Sequence, residues 1–197
     1  MMKTIIMDFN DTIDNTAASE LRALKKLIKA FKLKTIASEL LINLNSMYLN
    51  SSLSYDKCVK KTLLKAGIKK ELLSKAMKIF KAEADEIKIK AGFKEVLKNF
   101  NVIIFTSASK EPIIKLLKKN DIKTNKFIFY DNIVKPSLKE LKRALEENGL
   151  DARKTYYVGD DIIRDMLPAK ELGMKTIIIS DYVDYNINKL SELIIFK

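Results

Sequence analysis

Lys3-Thr4-Ile5-Ile6-Met7-Asp8-Phe9-Asn10-Asp11-Thr12 is the stretch whose reading decides the fold. An apolar run of strand character stops abruptly in a polar turn that carries carboxylates. In open parallel sheets, ligands bind outside the carboxyl ends of the strands, where backbone amides and helix N-termini converge, and Asp8 falls at such an end. Residues two apart in extended backbone point the same way, so Asp8 and Asn10 both face the crevice if extension persists that far. Taken alone, the stretch also reads as an ordinary turn, with Asp, Asn and Thr capping backbone groups locally. The rest of the chain has to decide.

Downstream of Thr16 the pattern switches from strand to helix. Leu21, Leu24, Ile28 and Phe31 recur at three- and four-residue steps and leave Arg22, Lys25, Lys26 and Lys29 on the other face. A second run carries Ile36, Leu40, Leu41, Leu44, Met47 and Tyr48 and ends in the polar Asn50-Ser51-Ser52. A third segment, Asp56 to Ala66, closes on Gly67, a left-handed C-cap, and a fourth carries Leu72, Leu73, Ala76, Met77, Phe80 and Ala84. Residues 15–88 therefore read as a small helical bundle inserted into the chain.

Strand signals return after Gly92. A short helix from Phe93 to Asn99 leads into Val102-Ile103-Ile104-Phe105, which ends in Thr106-Ser107-Ala108-Ser109. Pro112 suits the first turn of the next helix, which presents Ile113, Leu116 and Leu117 inward. Phe127 to Tyr130 is a third strand, followed by Lys135-Pro136 and a helix from Ser137 that stops at Gly149. Thr155 to Val158 is a fourth, ending in Gly159-Asp160-Asp161. A helix from Ile162 to Leu172 and a fifth strand from Lys175 to Ile179 follow, and Leu193 to Phe196 suits a short edge strand. Strands alternating with helices predict right-handed crossovers and a doubly wound, parallel α/β sheet, with residues 1–14 and 89–197 forming the core and 15–88 an all-helical cap.

Composition bounds the function. With 47% hydrophobic and 31% charged residues, the chain of 197 residues has the makeup of a globular protein. It holds one cysteine and no histidine, which excludes an intrachain disulfide and removes imidazole from any metal or acid–base scheme. No apolar run approaches the roughly 20 residues of a spanning helix, and no signal-peptide pattern opens the chain, so a cytoplasmic location and no membrane partner are the expectation. A net charge of +12 invites an anionic partner. The lysines are spread among acidic residues, however, without the arginine cluster or aromatic platform of single-strand binders, which makes nucleic acid the less favoured partner.

Four strand ends now share one edge of the sheet: Asp8, Asn10 and Thr12 after the first strand, Thr106 and Ser107 after the second, Lys135 after the third, and Asp160, Asp161 and Asp165 after the fourth. Each has a simpler reading as a turn, the start of a helix or an N-cap; four in this order do not. The set resembles the haloacid dehalogenase-like (HAD) hydrolases. Asp8-Phe9-Asn10-Asp11-Thr12 is similar to their Asp-x-Asp-x-Thr signature, Thr106 to their strand-terminal Ser or Thr, and Lys135-Pro136 to their lysine. Val158-Gly159-Asp160-Asp161 through Asp165, with Ala169-Lys170-Glu171-Leu172-Gly173-Met174, is similar to their fourth motif. The helical segment occupies the place of the family's first cap insertion.

The resemblance implies a Mg²⁺-dependent phosphatase acting on a small phosphorylated metabolite. It makes Asp8 the nucleophile that forms an aspartyl-phosphate and assigns Mg²⁺ to Asp8, Asp160 and the Asn10 carbonyl, an all-oxygen set suited to a hard cation. Thr106, Ser107 and Lys135 then hold the phosphoryl oxygens, and Asp165 and Asp161 orient Lys135 or a bound water. The chain departs from the phosphatase pattern at Asn10, where those members carry a second Asp as general acid and base. An amide cannot shuttle a proton, so activity is expected to be weakened, and the alternative is a catalytically impaired protein that binds a phosphorylated ligand or nucleic acid. The cap is expected to move about linkers near residues 14–16 and 88–92.

Overall fold

In the computed structural model, which describes residues 2–51, 53–84 and 86–179, the described residues divide into two compact units, those within 1–15 and 88–197 and those within 16–87. The first is built on five parallel strands: β1 (Lys3–Met7), β2 (Phe100–Phe105), β3 (Ile128–Tyr130), β4 (Tyr156–Gly159) and β5 (Lys175–Ile178). Their order across the sheet is β3-β2-β1-β4-β5. β1 is central because Ile5, Ile6 and Met7 are apolar on both faces, as a strand covered by helices on either side requires. Its alternate residues feed two cores: Ile5 and Met7 pack with Phe93, Val96, Ile104 and Leu117, whereas Ile6 packs with Ile103, Leu141, Tyr157 and Ala169.

The helices covering this sheet are α5 (Phe93–Asn99), α6 (Lys110–Lys119), α7 (Leu138–Glu147) and α8 (Leu167–Glu171). Ser137 caps α7, accepting from the Glu140 amide. The single helix expected from Ile162 to Leu172 is instead a π-helical turn at Ile162–Met166 followed by α8. Pro168 lacks the amide that would continue a regular ladder back into that turn. β2 is two residues longer than its apolar run suggested, because Phe100 and Asn101 still pair with Lys3 and Thr4. The edge strand expected at Leu193 to Phe196 lies outside the described residues.

The helical unit comprises α1 (Thr16–Phe31), α2 (Ala37–Leu49), α3 (Tyr55–Lys65) and α4 (Leu73–Ala84). Leu24, Leu27, Leu44, Cys58, Val59, Leu63 and Ala76 are its fully enclosed centre. Most of the expected stripes pack here, with Leu24, Leu40, Leu44, Ala76, Met77 and Phe80 buried and Leu21, Ile28, Phe31, Leu41, Met47, Tyr48 and Leu73 against them; three residues depart. Leu27 is completely buried, while Ile36 precedes α2 at 64% exposure and Leu72 sits in a 3₁₀ turn at 38%. Gly67, at φ +99°, takes the left-handed conformation that ends α3. Among the described residues, no helix is long and apolar enough to cross a membrane.

Candidate active site

The strand order places the ends of β2 and β4 on either side of Asp8. Asp8 continues β1 by donating its amide to the Val158 carbonyl at 2.9 Å, which holds its side chain at the carboxyl edge of the sheet, 7% exposed. After Asp8 the chain turns sharply: Ile13 and Asp14 both donate to the Phe9 carbonyl, and Asp11 stands at φ +58°, an angle that Asp tolerates better than most residues. Asp14 accepts from the Asp11 amide at 2.9 Å, and the Asn10 side-chain amide lies 3.4 Å from its other oxygen. Lys90, from the second linker, donates to the Asp11 carbonyl.

Lys135 is the hub of the site. Its buried ammonium donates to Asp8 Oδ1 at 2.5 Å and to Asp165 Oδ1 at 2.8 Å, and it lies 5.5 Å from the Phe105 ring centre and 5.8 Å from that of Tyr157. Burial alone would lower the lysine pKa, but the Asp8 and Asp165 carboxylates override this and leave it raised. Asp165 is itself fixed on three sides, by Lys135, by the Tyr157 hydroxyl at 2.9 Å and by the Asp161 amide at 3.4 Å. Its carboxylate presses on the backbone of Gly159, where a Cβ would lie 2.5 Å from Asp165 Oδ2. Burial, then the Asp165 charge, pushes the Tyr157 hydroxyl well above its ordinary value, so it stays a proton donor.

Asp160 points to the same place. One oxygen each from Asp8, Asp160 and Asp165 lie within 4.8 Å of one another, and Thr12 Oγ1 donates to Asp160 Oδ1 at 3.1 Å. Burial, then repulsion from Asp8 and Asp165, raises the Asp160 pKa to about 8; burial raises Asp8 to about 6 against the pull of Lys135. Crowded carboxylates that resist ionisation together are the donor chemistry a hard divalent cation relieves. Asp165 has its oxygens engaged by Lys135, Tyr157 and the Asp161 amide, which leaves Asp8 and Asp160 as the carboxylates that could hold an ion.

On the other side of β1, Thr106 is fully buried and its hydroxyl oxygen accepts from the Ala108 amide at 3.2 Å. Ser107 Oγ accepts from Arg164 Nη2 at 2.8 Å. Asp161 does something other than orient Lys135 through its side chain. Its Oδ1 accepts from the amides of Ile163 and Arg164 and so caps the turn that carries Asp165. Thus Asp8, Lys135, Asp160 and Asp165 converge, Thr106 and Ser107 flank them, and Asn10 turns toward Asp14. Tyr157, Gly159 and Arg164 were missed in the sequence. Tyr157 reads there as one more apolar strand residue, and only Gly159 offered a signal, as a small residue at a strand end.

Comparisons with known proteins bear on the family and on the fold. The haloacid dehalogenase-like hydrolase family matches residues 5–179. A glyceraldehyde 3-phosphate phosphatase from Methanocaldococcus jannaschii is 39% identical over a segment covering 34% of this chain and 37% of that protein, so the match spans little more than a third of the curated relative. Among solved structures, the HAD-hydrolase YfnB of Bacillus subtilis, crystallised with magnesium, superposes with a TM-score of 0.76 at 18% identity, covering 99% of this chain and 98% of that one. A HAD phosphatase from Thermococcus onnurineus gives 0.61 at 21% identity, covering 99% and 97%. At such identities the structures speak for the fold, and the family match speaks for membership: the chain belongs to the haloacid dehalogenase-like hydrolases.

Proposed function

We propose that the protein is a Mg²⁺-dependent phosphohydrolase that acts on a small phosphorylated metabolite through an aspartyl-phosphate on Asp8. The observation that carries this is the buried Asp8 carboxylate at the end of the central strand, in contact with the Lys135 ammonium and within 4.8 Å of Asp160. The phosphatase from Methanocaldococcus jannaschii adds support for a phosphorylated substrate.

Asp8 attacks phosphorus in line with the departing oxygen; the new bond is Oδ–P, and the bond to the leaving group breaks with its electron pair. Thr106 Oγ, the Ser107 amide and Lys135 Nζ hold the non-bridging oxygens and counter the charge that builds on them. Asp165 and Tyr157 keep Lys135 aimed at Asp8. A Mg²⁺ held by Asp8, Asp160 and the Asn10 carbonyl would supply charge neutralisation and keep both carboxylates ionised. Water then displaces the Asp8 carboxylate from phosphorus and releases phosphate. Asn10 can donate a hydrogen bond but no proton, so alcohols depart poorly, and the best substrates are aryl or acyl phosphates, whose leaving groups need little protonation.

The test is hydrolysis of an activated aryl phosphate with Mg²⁺ by the wild type, Asp8→Asn and Asn10→Asp. Asp8→Asn falls to background. Asn10→Asp gains on alkyl phosphates, where general-acid help is worth about 10²–10⁴-fold. Absence of Mg²⁺-dependent, Asp8-dependent turnover in both the wild type and Asn10→Asp would refute the proposal.

A further inference from the structure

β2 and β4 do not pair with each other. Each takes one edge of β1, so their carboxyl ends stand about 10 Å apart with Asp8 between them. Arg164, from the turn after β4, reaches Ser107, two residues past the end of β2, with Nη2 donating to Ser107 Oγ at 2.8 Å. Its guanidinium therefore joins the loops on either side of the β1 end.

Arg164 differs from the surface cations of this chain. Its backbone amide is held by Asp161 Oδ1 at 2.9 Å, which fixes where the side chain starts. Among the described residues the arginine ion pairs belong to Arg22 and Arg143, and none of those residues offers Arg164 a carboxylate in ion-pair contact. Its Nε is enclosed and meets no acceptor among the described residues, a condition that buried donors rarely tolerate without a ligand or water. A guanidinium with spare donors, beside the residue whose amide is assigned to a phosphoryl oxygen, is matched in shape and charge to a phosphate.

We propose that Arg164 is a phosphoryl-binding residue: Ser107 Oγ orients one arm of its guanidinium while the remaining N–H groups bind a non-bridging oxygen of the substrate's phosphoryl group. This rests on the phosphohydrolase reading above. The charge balance supports it. Asp8, Asp160 and Asp165 outnumber the Lys135 ammonium that binds two of them, and Arg164 adds a further cation after β4 to receive a phosphate dianion.

The experiment titrates inorganic phosphate, in the presence of Mg²⁺ and at physiological salt, into the wild type, Arg164→Gln, Arg164→Lys and Ser107→Ala. Aryl phosphate kinetics are measured on the same samples. Arg164→Gln should weaken phosphate binding and raise KM by about 10- to 100-fold, as expected for loss of a charge-assisted hydrogen bond. Arg164→Lys recovers part of this, because an ammonium keeps the charge without the planar fork, and Ser107→Ala shows a smaller loss. Phosphate affinity within twofold of wild type in Arg164→Gln overturns the inference while leaving the phosphohydrolase reading in place. A wild type that neither binds phosphate nor turns over the aryl phosphate overturns both. If Arg164→Gln loses its cooperative thermal transition, Arg164→Lys decides, and affinity equal to wild type overturns the inference.

Discussion

At the scale of single residues, the site is governed by the cost of placing Asp8, Asp160 and Asp165 together out of water. Two consequences can be measured. In the folded protein Asp8 titrates near 6 and Asp160 near 8, against 3.8 for an ordinary Asp, so the folded state binds protons that the unfolded chain has already released. Without divalent cation, this contribution is fully present below about pH 4 and is lost as pH rises through about 6 and then 8. The denaturation midpoint of metal-free protein should therefore fall across that window, and added Mg²⁺ should flatten the fall, because the ion competes with the same protons. The second consequence concerns Gly159. Its missing Cβ is the space that Asp165 occupies, and Asp165 cannot retreat because Lys135 and Tyr157 hold it. Gly159→Ala should cost about 1–3 kcal/mol in chemical denaturation and lower turnover by displacing the carboxylate that aims Lys135.

At the scale of elements, the four helices of residues 16–87 hold together by burial. α1 and α4 face each other through a polar rim in which Glu83 receives Lys26 and Arg22, the latter at 3.5 Å. Burial and these cations oppose each other at Glu83, and its pKa ends lowered, with the Lys26 hydrogen bond the largest influence. These exposed cations add little stability, whereas Leu27 at 0% exposure carries far more. Leu27→Ala should cost about 2–5 kcal/mol, read as faster amide exchange throughout α1 and α4. In the other unit the turn at Ile162–Met166 depends on one side chain, since Asp161 caps two of its amides. Because that turn positions both Asp165 and Arg164, its conformation matters to the site more than its five residues suggest.

At the scale of the whole molecule, the helical segment leaves and rejoins the sheet unit at nearly one point. The Lys88 amide donates to Asn15 Oδ1 at 2.8 Å, and Asp14 and Ile89 form an antiparallel bridge. Replacing residues 16–87 with a short Gly-Ser turn should therefore leave a sheet unit that folds and still binds a divalent cation, checked by thermal unfolding and by titration with Mn²⁺. The sequence by itself determined the alternation of strands and helices and the four polar strand ends, because a buried strand must be a run of apolar residues and must stop where the polar residues begin. For that reason it placed Asp8, Thr106, Lys135 and Asp160 in the segments that follow the strands. It could not show that Asn10 turns toward Asp14, that Asp161 caps a turn, that Tyr157 holds Asp165, or that Arg164 reaches Ser107. Strand order, which puts β2 and β4 on opposite sides of β1, and the direction of each side chain arise only when segments far apart in the chain pack together. Those long-range contacts decided which of the polar residues meet.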